Sequence, residues 1–286
     1  MKLVACFFTF LVSCGVCVAQ APTEKSLLWE LTKPGQAKPS YLFGTIHLIC
    51  PADFSLSDSL KSAILKTEQL ALEIDMDDPA MMMTMMKSMN MREGNELKKL
   101  VSDSEYNKLN QFYKDSVGMG IAMFEKAKPF VLMGPLFNAV LACQPQSYET
   151  SLMELAKKQQ AEVIGIEALE EQMAIFDSIP YKDQAKMIVT LIDNLPKARK
   201  EFKDLVTLYK SQNIDELYKL TMKSEFGMEG NQDIMLFDRN KKWIPRIEKI
   251  VSDKPTFLAV GAAHLGGPKG VIALLRKQGY KVRPIL

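Results

Sequence analysis

The chain has almost no histidine, two in 286 residues. It also lacks an excess of charge of either sign: 36 Lys and Arg face 34 Asp and Glu, for a formal net charge of +2. With its basic residues scattered, such a chain presents no electrostatic footprint for nucleic acid. Beyond Ala19 no apolar run is long enough to span a bilayer, so no transmembrane helix is expected in the mature chain. Cysteine is scarce as well, with five in all. No H-E-x-x-H occurs, which excludes a zinc-protease site built on a single helix.

The apolar run that does exist lies at the start. Met1-Lys2, the run Leu3 to Val12 and the small-residue exit Cys17-Val-Ala19 form a secretory signal peptide over residues 1–19. Export to the periplasm or the extracellular space follows. Leu11-Val-Ser-Cys14 also resembles a lipoprotein cleavage box, which would leave a lipid anchor at Cys14. The apolar continuation Gly15 to Ala19 speaks against it, because a tether is ordinarily polar. Cys14 and Cys17 have C-x-x-C spacing but fall in the segment to be removed, so they are not a redox centre. Cys50 and Cys143 remain. Export permits a bridge between them, but a sequence fixes no Cα separation, and two separate buried thiols are the equal alternative.

Both histidines close the same pattern. Tyr41-Leu-Phe-Gly-Thr-Ile-His47 and Phe257-Leu-Ala-Val-Gly-Ala-Ala-His264 are each an apolar run, a glycine, two small or aliphatic residues and histidine. One histidine after a strand is usually a packed residue without chemistry. Two at matching positions, with none elsewhere, point to one shared site, since imidazole is both a common metal ligand and an acid or base near neutral pH. The glycines are expected to take φ > 0 and turn the chain sharply off each strand.

Periodicity places the rest. Leu27 to Thr32 and Ser40 to Phe43, joined through Pro34-Gly35, read as a hairpin. Ser57 to Glu68 is a capped helix and Leu70 to Ile74 a strand, which makes a βαβ unit with Glu73 near its second strand end. Glu162 to Ile166 is another strand, with Glu167 at its end. An isolated acidic residue in such a place is as readily a solvated side chain as a site group. Met76 to Met91 holds eight of the eighteen methionines. It fits a helix that packs or lines a groove, with a thioether copper site as the sharper alternative. Helices continue to about Leu141, so a helical cap is expected as an insertion over about 77–160. Polar helices follow over 182–224 and 231–251. The last of these puts Arg239 and Trp243 on one face, and Pro245 is expected to kink or restart it. Thr256 to Val260 is a strand, Pro268 to Lys277 a helix ended by Gly279, and Tyr280 to Ile285 the closing strand. The fold class is α/β: a mixed, largely parallel sheet of two pseudo-repeated halves with helical insertions. It forms one domain over 20–286.

These motifs resemble the TraB/PrgY/GumN family, whose eukaryotic relatives are the Tiki proteins. Tyr41 to Leu48, Leu72-Glu-Ile-Asp75, Val163 to Gln172, Arg239-Asn240 with Trp243, and Val260 to Gly270 carry the resemblance across nearly the whole mature chain. It implies a fold similar to erythromycin esterase and the haem-binding ChaN proteins, and a metal-dependent protease acting on peptide or protein ligands. The implied site residues are His47, His264 and Glu73 as ligands of a divalent manganese, cobalt or zinc ion, with Glu73, Glu167, Arg239 and Asn240 in catalysis. Two other classes stay open: a metal-free esterase-like hydrolase, and a non-catalytic protein that binds haem, metal or peptide.

Overall fold

A computed structural model describes residues 24–92, 94–224 and 230–286. The expected signal peptide, with Cys14 and Cys17, lies outside the described residues. Among those described, the strands are β1 (Leu28–Thr32), β2 (Ser40–Thr45), β3 (Gln69–Leu72), β4 (Glu162–Gly165), β5 (Thr256–Gly261) and β6 (Lys281–Ile285). They form one mixed, mostly parallel sheet in the spatial order β4-β3-β5-β2-β1-β6. The strands β4, β3, β5 and β2 run parallel, whereas β1 pairs antiparallel with both β2 and β6. All six residues of β2 are buried and β3 is buried throughout, as continuous apolar strands covered on both faces must be.

The hairpin of β1 and β2 forms as its Pro-Gly turn predicts, with Gly35 at φ 91°. After β2 comes helix α1 (Asp58–Leu65), where the Ser57 side chain accepts from the Leu60 N–H. This cap satisfies one of the orphan donors of the first turn. The βαβ unit of β2, α1 and β3 is parallel, but its strands are not neighbours, because β5 lies between them.

Between β3 and β4 run α2 (Met81–Ser88), α3 (Leu97–Leu100), α4 (Asp103–Val117), α5 (Met133–Leu141) and α6 (Tyr148–Lys158). After β4 come α7 (Leu169–Ser178), α8 (Tyr181–Asp193), α9 (Leu195–Lys210), α10 (Ile214–Lys223), α11 (Asp238–Asp253) and, beyond β5, α12 (Val271–Lys277). A second core gathers Leu97, Leu109, Tyr113, Leu132 and Leu136 with Ala185, Ile188 and Leu191. The helices before β4 therefore share their interior with α8. Lys128 is buried in this region and pairs with Asp177 at 3.0 Å. On α2, Met81 and Met85 pack against Leu169, Met173 and Phe176, while Met82, Met83 and Met86 stay exposed. No described helix is long and apolar enough to cross a membrane.

Three local expectations are corrected. Neither Gly44 nor Gly261 has positive φ, and Gly261 sits at φ −52°. Glycine is needed there for space: a Cβ on Gly44 would meet Leu265 Cδ1 at 2.6 Å and Ala262 Cα at 3.1 Å. Pro245 neither ends nor restarts its helix, since α11 runs from Asp238 through it to Asp253. Pro245 and Lys241, whose carbonyl loses its partner, both lie on the exposed face, where water can replace the missing bond. A separate irregularity lies upstream, a π turn over Asp233–Phe237.

Cys50 and Cys143 form a disulfide, with Cα atoms 5.9 Å apart. Beside it, Ile49 and Gln146 exchange two backbone hydrogen bonds, of 3.0 and 2.8 Å. Together these tie the loop after β2 to the segment entering α6.

Candidate functional site

Four neighbouring parallel strands all end at one edge of the sheet. In spatial order β4, β3, β5 and β2, they release Glu167, Glu73, His264 and His47 just past their last residues. Such a carboxyl edge is where open α/β sheets bind ligands. The backbone ladder runs one step beyond the strands, with Ile166 N–H on Leu72 O and Glu167 N–H on Glu73 O, 2.8 and 2.9 Å. The two glutamates are thereby held side by side.

Arg239 reaches this edge from the first turn of α11 and is buried there. Its Nη2 donates to Glu73 Oε2 and Glu167 Oε1, and its Nε to both Glu167 oxygens at 3.1 and 3.3 Å. Its Nη1 donates to Met235 O within the π turn and lies 3.2 Å from His264 Nε2. π turns recur at functional sites; here the turn brings a backbone carbonyl onto the guanidinium. Trp243, one turn further along α11, donates its indole N–H to Glu167 Oε2 at 2.9 Å. Its ring lies against both Arg239 and His264. Gln172 of α7 donates to Glu167 Oε1 at 3.1 Å and to Glu73 Oε2 at 3.3 Å.

The two carboxylates are therefore not equivalent. Both Glu167 oxygens are committed to Arg239, with Trp243 and Gln172 as further donors. Glu73 binds Arg239 and Gln172 through Oε2, while Oε1 accepts the Gly261 N–H at 2.8 Å and faces His264 Nε2 at 3.9 Å. A methyl group on Gly261 would stand 3.3 Å from Glu73 Oε1, 3.6 Å from His264 Cδ2 and 3.7 Å from His47 Nε2. The bare glycine keeps open a gap that these three side chains share.

The Nδ1 atom of each histidine is held by an acceptor. Asn240 Nδ2 donates to Lys269 O at 2.9 Å, so its Oδ1 faces His264 Nδ1 at 2.6 Å and Nδ1 carries a proton. His47 Nδ1 lies 2.8 Å from Glu149 Oε1, which as a carboxylate only accepts. In the neutral rings each Nε2 therefore keeps its lone pair, the form in which imidazole binds metals, although that of His264 accepts from Arg239 Nη1 at 3.2 Å.

Charge follows position. Burial is the largest influence on His264 and, against Glu73's pull, takes its pKa down to about 3, so the ring is neutral at ordinary pH. At His47 burial also opposes charging, but 66% of this side chain meets solvent, and the hydrogen bond to Glu149 with the charges of Glu73 and Glu149 raises it to about 9. Burial would raise Glu73; attraction to the charged forms of His264, Arg239 and His47, with the Gly261 N–H, instead holds it well below the usual carboxylate range. Because His264 is neutral above about pH 3, Arg239 and His47 carry that effect at neutral pH.

All six residues expected from the sequence meet at this edge. Glu149 carries no such signal in the sequence, for it opens an amphipathic helix among ordinary polar residues and stands in neither motif. Among the described residues no three His, Cys, Asp or Glu side chains already surround one point at ligating distance. The donor chemistry nonetheless fits a divalent cation, with two imidazoles held through Nδ1, one carboxylate and a gap that a Cβ would fill.

Fold and edge together define an α/β protein that carries a polar His, Glu and Arg cluster at the carboxyl ends of four parallel strands. The TraB/PrgY/gumN family model matches residues 27–284, and the chain belongs to that family. It is 21% identical over 313 residues to Metalloprotease TIKI2 of Danio rerio, an alignment covering 90% of this chain and 60% of that protein. To Metalloprotease TIKI1 of Homo sapiens it is 22% identical over 320 residues, covering 90% and 61%. The chain thus spans about 60% of the length of these relatives. No solved structure gives a significant match.

Proposed function

We propose that this chain is an exported, metal-dependent hydrolase of peptides or proteins. The observation that carries the proposal is the shared gap at Gly261, faced by His47 Nε2, the His264 ring and Glu73 Oε1. The names of the distant relatives support the reaction class, and the disulfide supports an oxidising compartment.

His47, His264 and Glu73 would hold the ion. When bound, a divalent cation supplies Lewis-acid polarisation of a carbonyl and activation of water. Asn240 and Glu149 keep protons on the two Nδ1 atoms, so that each Nε2 faces inward. Glu73, through Oε1, is the carboxylate available to the reacting atoms. Glu167, with both oxygens engaged, serves to fix Arg239. Arg239 places a permanent positive charge beside the gap, where an oxyanion developing on a scissile carbonyl is stabilised. Catalysis would require Arg239 to yield the His264 Nε2 contact to the ion while keeping its carboxylate partners.

The test is metal analysis of the purified chain against His264→Ala, run beside a peptide-cleavage assay with and without chelator. Stoichiometric manganese, cobalt or zinc in the wild type, lost in the variant, with cleavage abolished by chelator, is the expected result. Cleavage that survives chelator sinks the metal-dependent reading in favour of an esterase-like hydrolase. Stoichiometric metal without turnover of any peptide indicates a binding protein.

A further inference from the structure

Glu149 is a buried carboxylate in the first turn of α6 that neither G-x-x-H motif contains. Its Oε1 accepts from the Thr45 hydroxyl at 2.7 Å and from His47 Nδ1 at 2.8 Å, and its Oε2 from the Ser147 hydroxyl at 2.9 Å. A buried carboxylate is costly unless its lone pairs are filled, and here three donors fill them. Two of the three come from the G-x-x-H segment itself, since Thr45 is the last residue of β2 and His47 follows two places on. The third, Ser147, is the N-cap of α6, whose side chain also accepts from the Thr150 N–H. The negative charge at this helix N-terminus is favoured by the helix dipole.

The surrounding covalent structure acts on the same contact. The disulfide lies three residues beyond His47 and six before Glu149, and the bridge of Ile49 with Gln146 lies between it and that contact. The loop bearing His47 and the helix start bearing Glu149 are thus stapled together, although 102 residues separate the two side chains in sequence. His47 is otherwise the exposed member of the cluster. Without such a partner its ring would be free to rotate and to carry its proton on either nitrogen. For His264, buried and held by Asn240, no comparable device is needed.

We propose that Glu149 is a positioning residue that fixes His47 with its proton on Nδ1 and its Nε2 lone pair toward the gap at Gly261. The inference rests on the reading of His47 as an ion ligand. It extends that reading to a carboxylate–histidine–metal relay, in which loss of the outer carboxylate typically costs on the order of 10–100-fold in metal affinity.

Two histidines in the whole chain make the test direct, because side-chain nitrogen-15 spectra of the intact protein contain only two imidazoles. They are assigned with His47→Ala. In the wild type, at a pH where both rings are neutral, His47 is expected with Nδ1 protonated. In Glu149→Leu it should become a mixture of tautomers, while His264 is unchanged. Glu149→Gln, which keeps one acceptor oxygen, should lie between them. Zinc titration of the same proteins should show affinity on the order of 10–100-fold weaker for Glu149→Leu. Near-ultraviolet circular dichroism and an intact Cys50–Cys143 bridge establish that the variants are folded. A wild-type His47 protonated on Nε2, or a Glu149→Leu protein with wild-type tautomer and zinc affinity, overturns the proposal. If the wild type binds no zinc, manganese or cobalt, the ligand reading of His47 fails, and the tautomer spectra still decide what Glu149 does.

Discussion

Arg239 and Glu167 come from different parts of the fold, yet the guanidinium Nε of one bonds both oxygens of the other, at 3.1 and 3.3 Å. The same guanidinium holds Glu73, so one buried cation is shared by two buried anions. Removing one member of such a network leaves uncompensated buried charge. Arg239→Met should therefore destabilise the chain by about 3–5 kcal/mol at neutral pH. Glu73 has a folded pKa below its unfolded value. Its contribution is present at neutral pH and fades as the pH falls through the folded value. The difference between wild type and Arg239→Met, measured by urea unfolding, should accordingly shrink in acid. An equal difference at both pH values would show that the ion pairs do not carry it.

The two motif glycines should respond differently to alanine. A Cβ on Gly261 would stand at ordinary contact distance from His264 and His47 but 3.3 Å from Glu73 Oε1, which a shift of a few tenths of an ångström in the carboxylate relieves, and its φ of −52° suits alanine. Gly261→Ala should fold with a melting temperature close to wild type and lose metal uptake and hydrolysis, because the methyl fills the gap. Gly44→Ala pushes a Cβ to 2.6 Å from Leu265 Cδ1 and against the backbone of Ala262, so overpacking should cost about 1–3 kcal/mol. Calorimetry of both variants beside a zinc titration separates the two effects.

Replacing Cys50 and Cys143 together by serine removes a cross-link between residues 93 apart. Removing a native disulfide typically costs about 2–5 kcal/mol. Because the bridge also staples the His47 loop to the Glu149 helix, the double variant should bind zinc more weakly at temperatures where it remains folded. Reduction of the wild type by a phosphine should reproduce both effects.

Away from the site, Lys128 and Asp177 form a pair in which the lysine is almost fully buried. Burial would raise the Asp177 pKa, but the Tyr181 hydroxyl and the Lys128 charge outweigh it and lower the value. A lowered folded value means stability that is present at neutral pH and lost as the pH falls through it. Asp177→Asn should cost about 3–5 kcal/mol at neutral pH by stranding the buried ammonium. It should also flatten the acid limb of the stability profile. Urea midpoints across the acid range check both points.

Much of the sheet was legible in the sequence because its strands are short apolar runs bounded by Pro, Gly or capping residues. Trp29 to Thr32, Tyr41 to Phe43 and Phe257 to Val260 fall where periodicity puts them. The convergence of His47, Glu73, Glu167 and His264 was legible for the same reason, since each follows the end of such a run. What was not legible depends on contacts between distant segments. Nothing local in Thr256–Gly261 says that it inserts between β3 and β2. Glu149 gains its importance only when its helix start meets the His47 loop. The glycines look like turn residues in sequence, whereas in space they are places where side chains crowd the backbone. Pro245 reads as a breaker because sequence does not show which face of α11 meets water.

The order of the sheet also constrains how the chain can acquire it. Thr256–Gly261 is the fifth strand to be synthesised, yet it lies between the second and the third. Until it arrives, β2 with β1 and β3 with β4 are two separate pieces with bare inner edges. A chain made from its N-terminus onward therefore holds its sheet incomplete until Thr256–Gly261 has followed. Pairing across such sequence distances is slow, so closure of this sheet is a late event in folding.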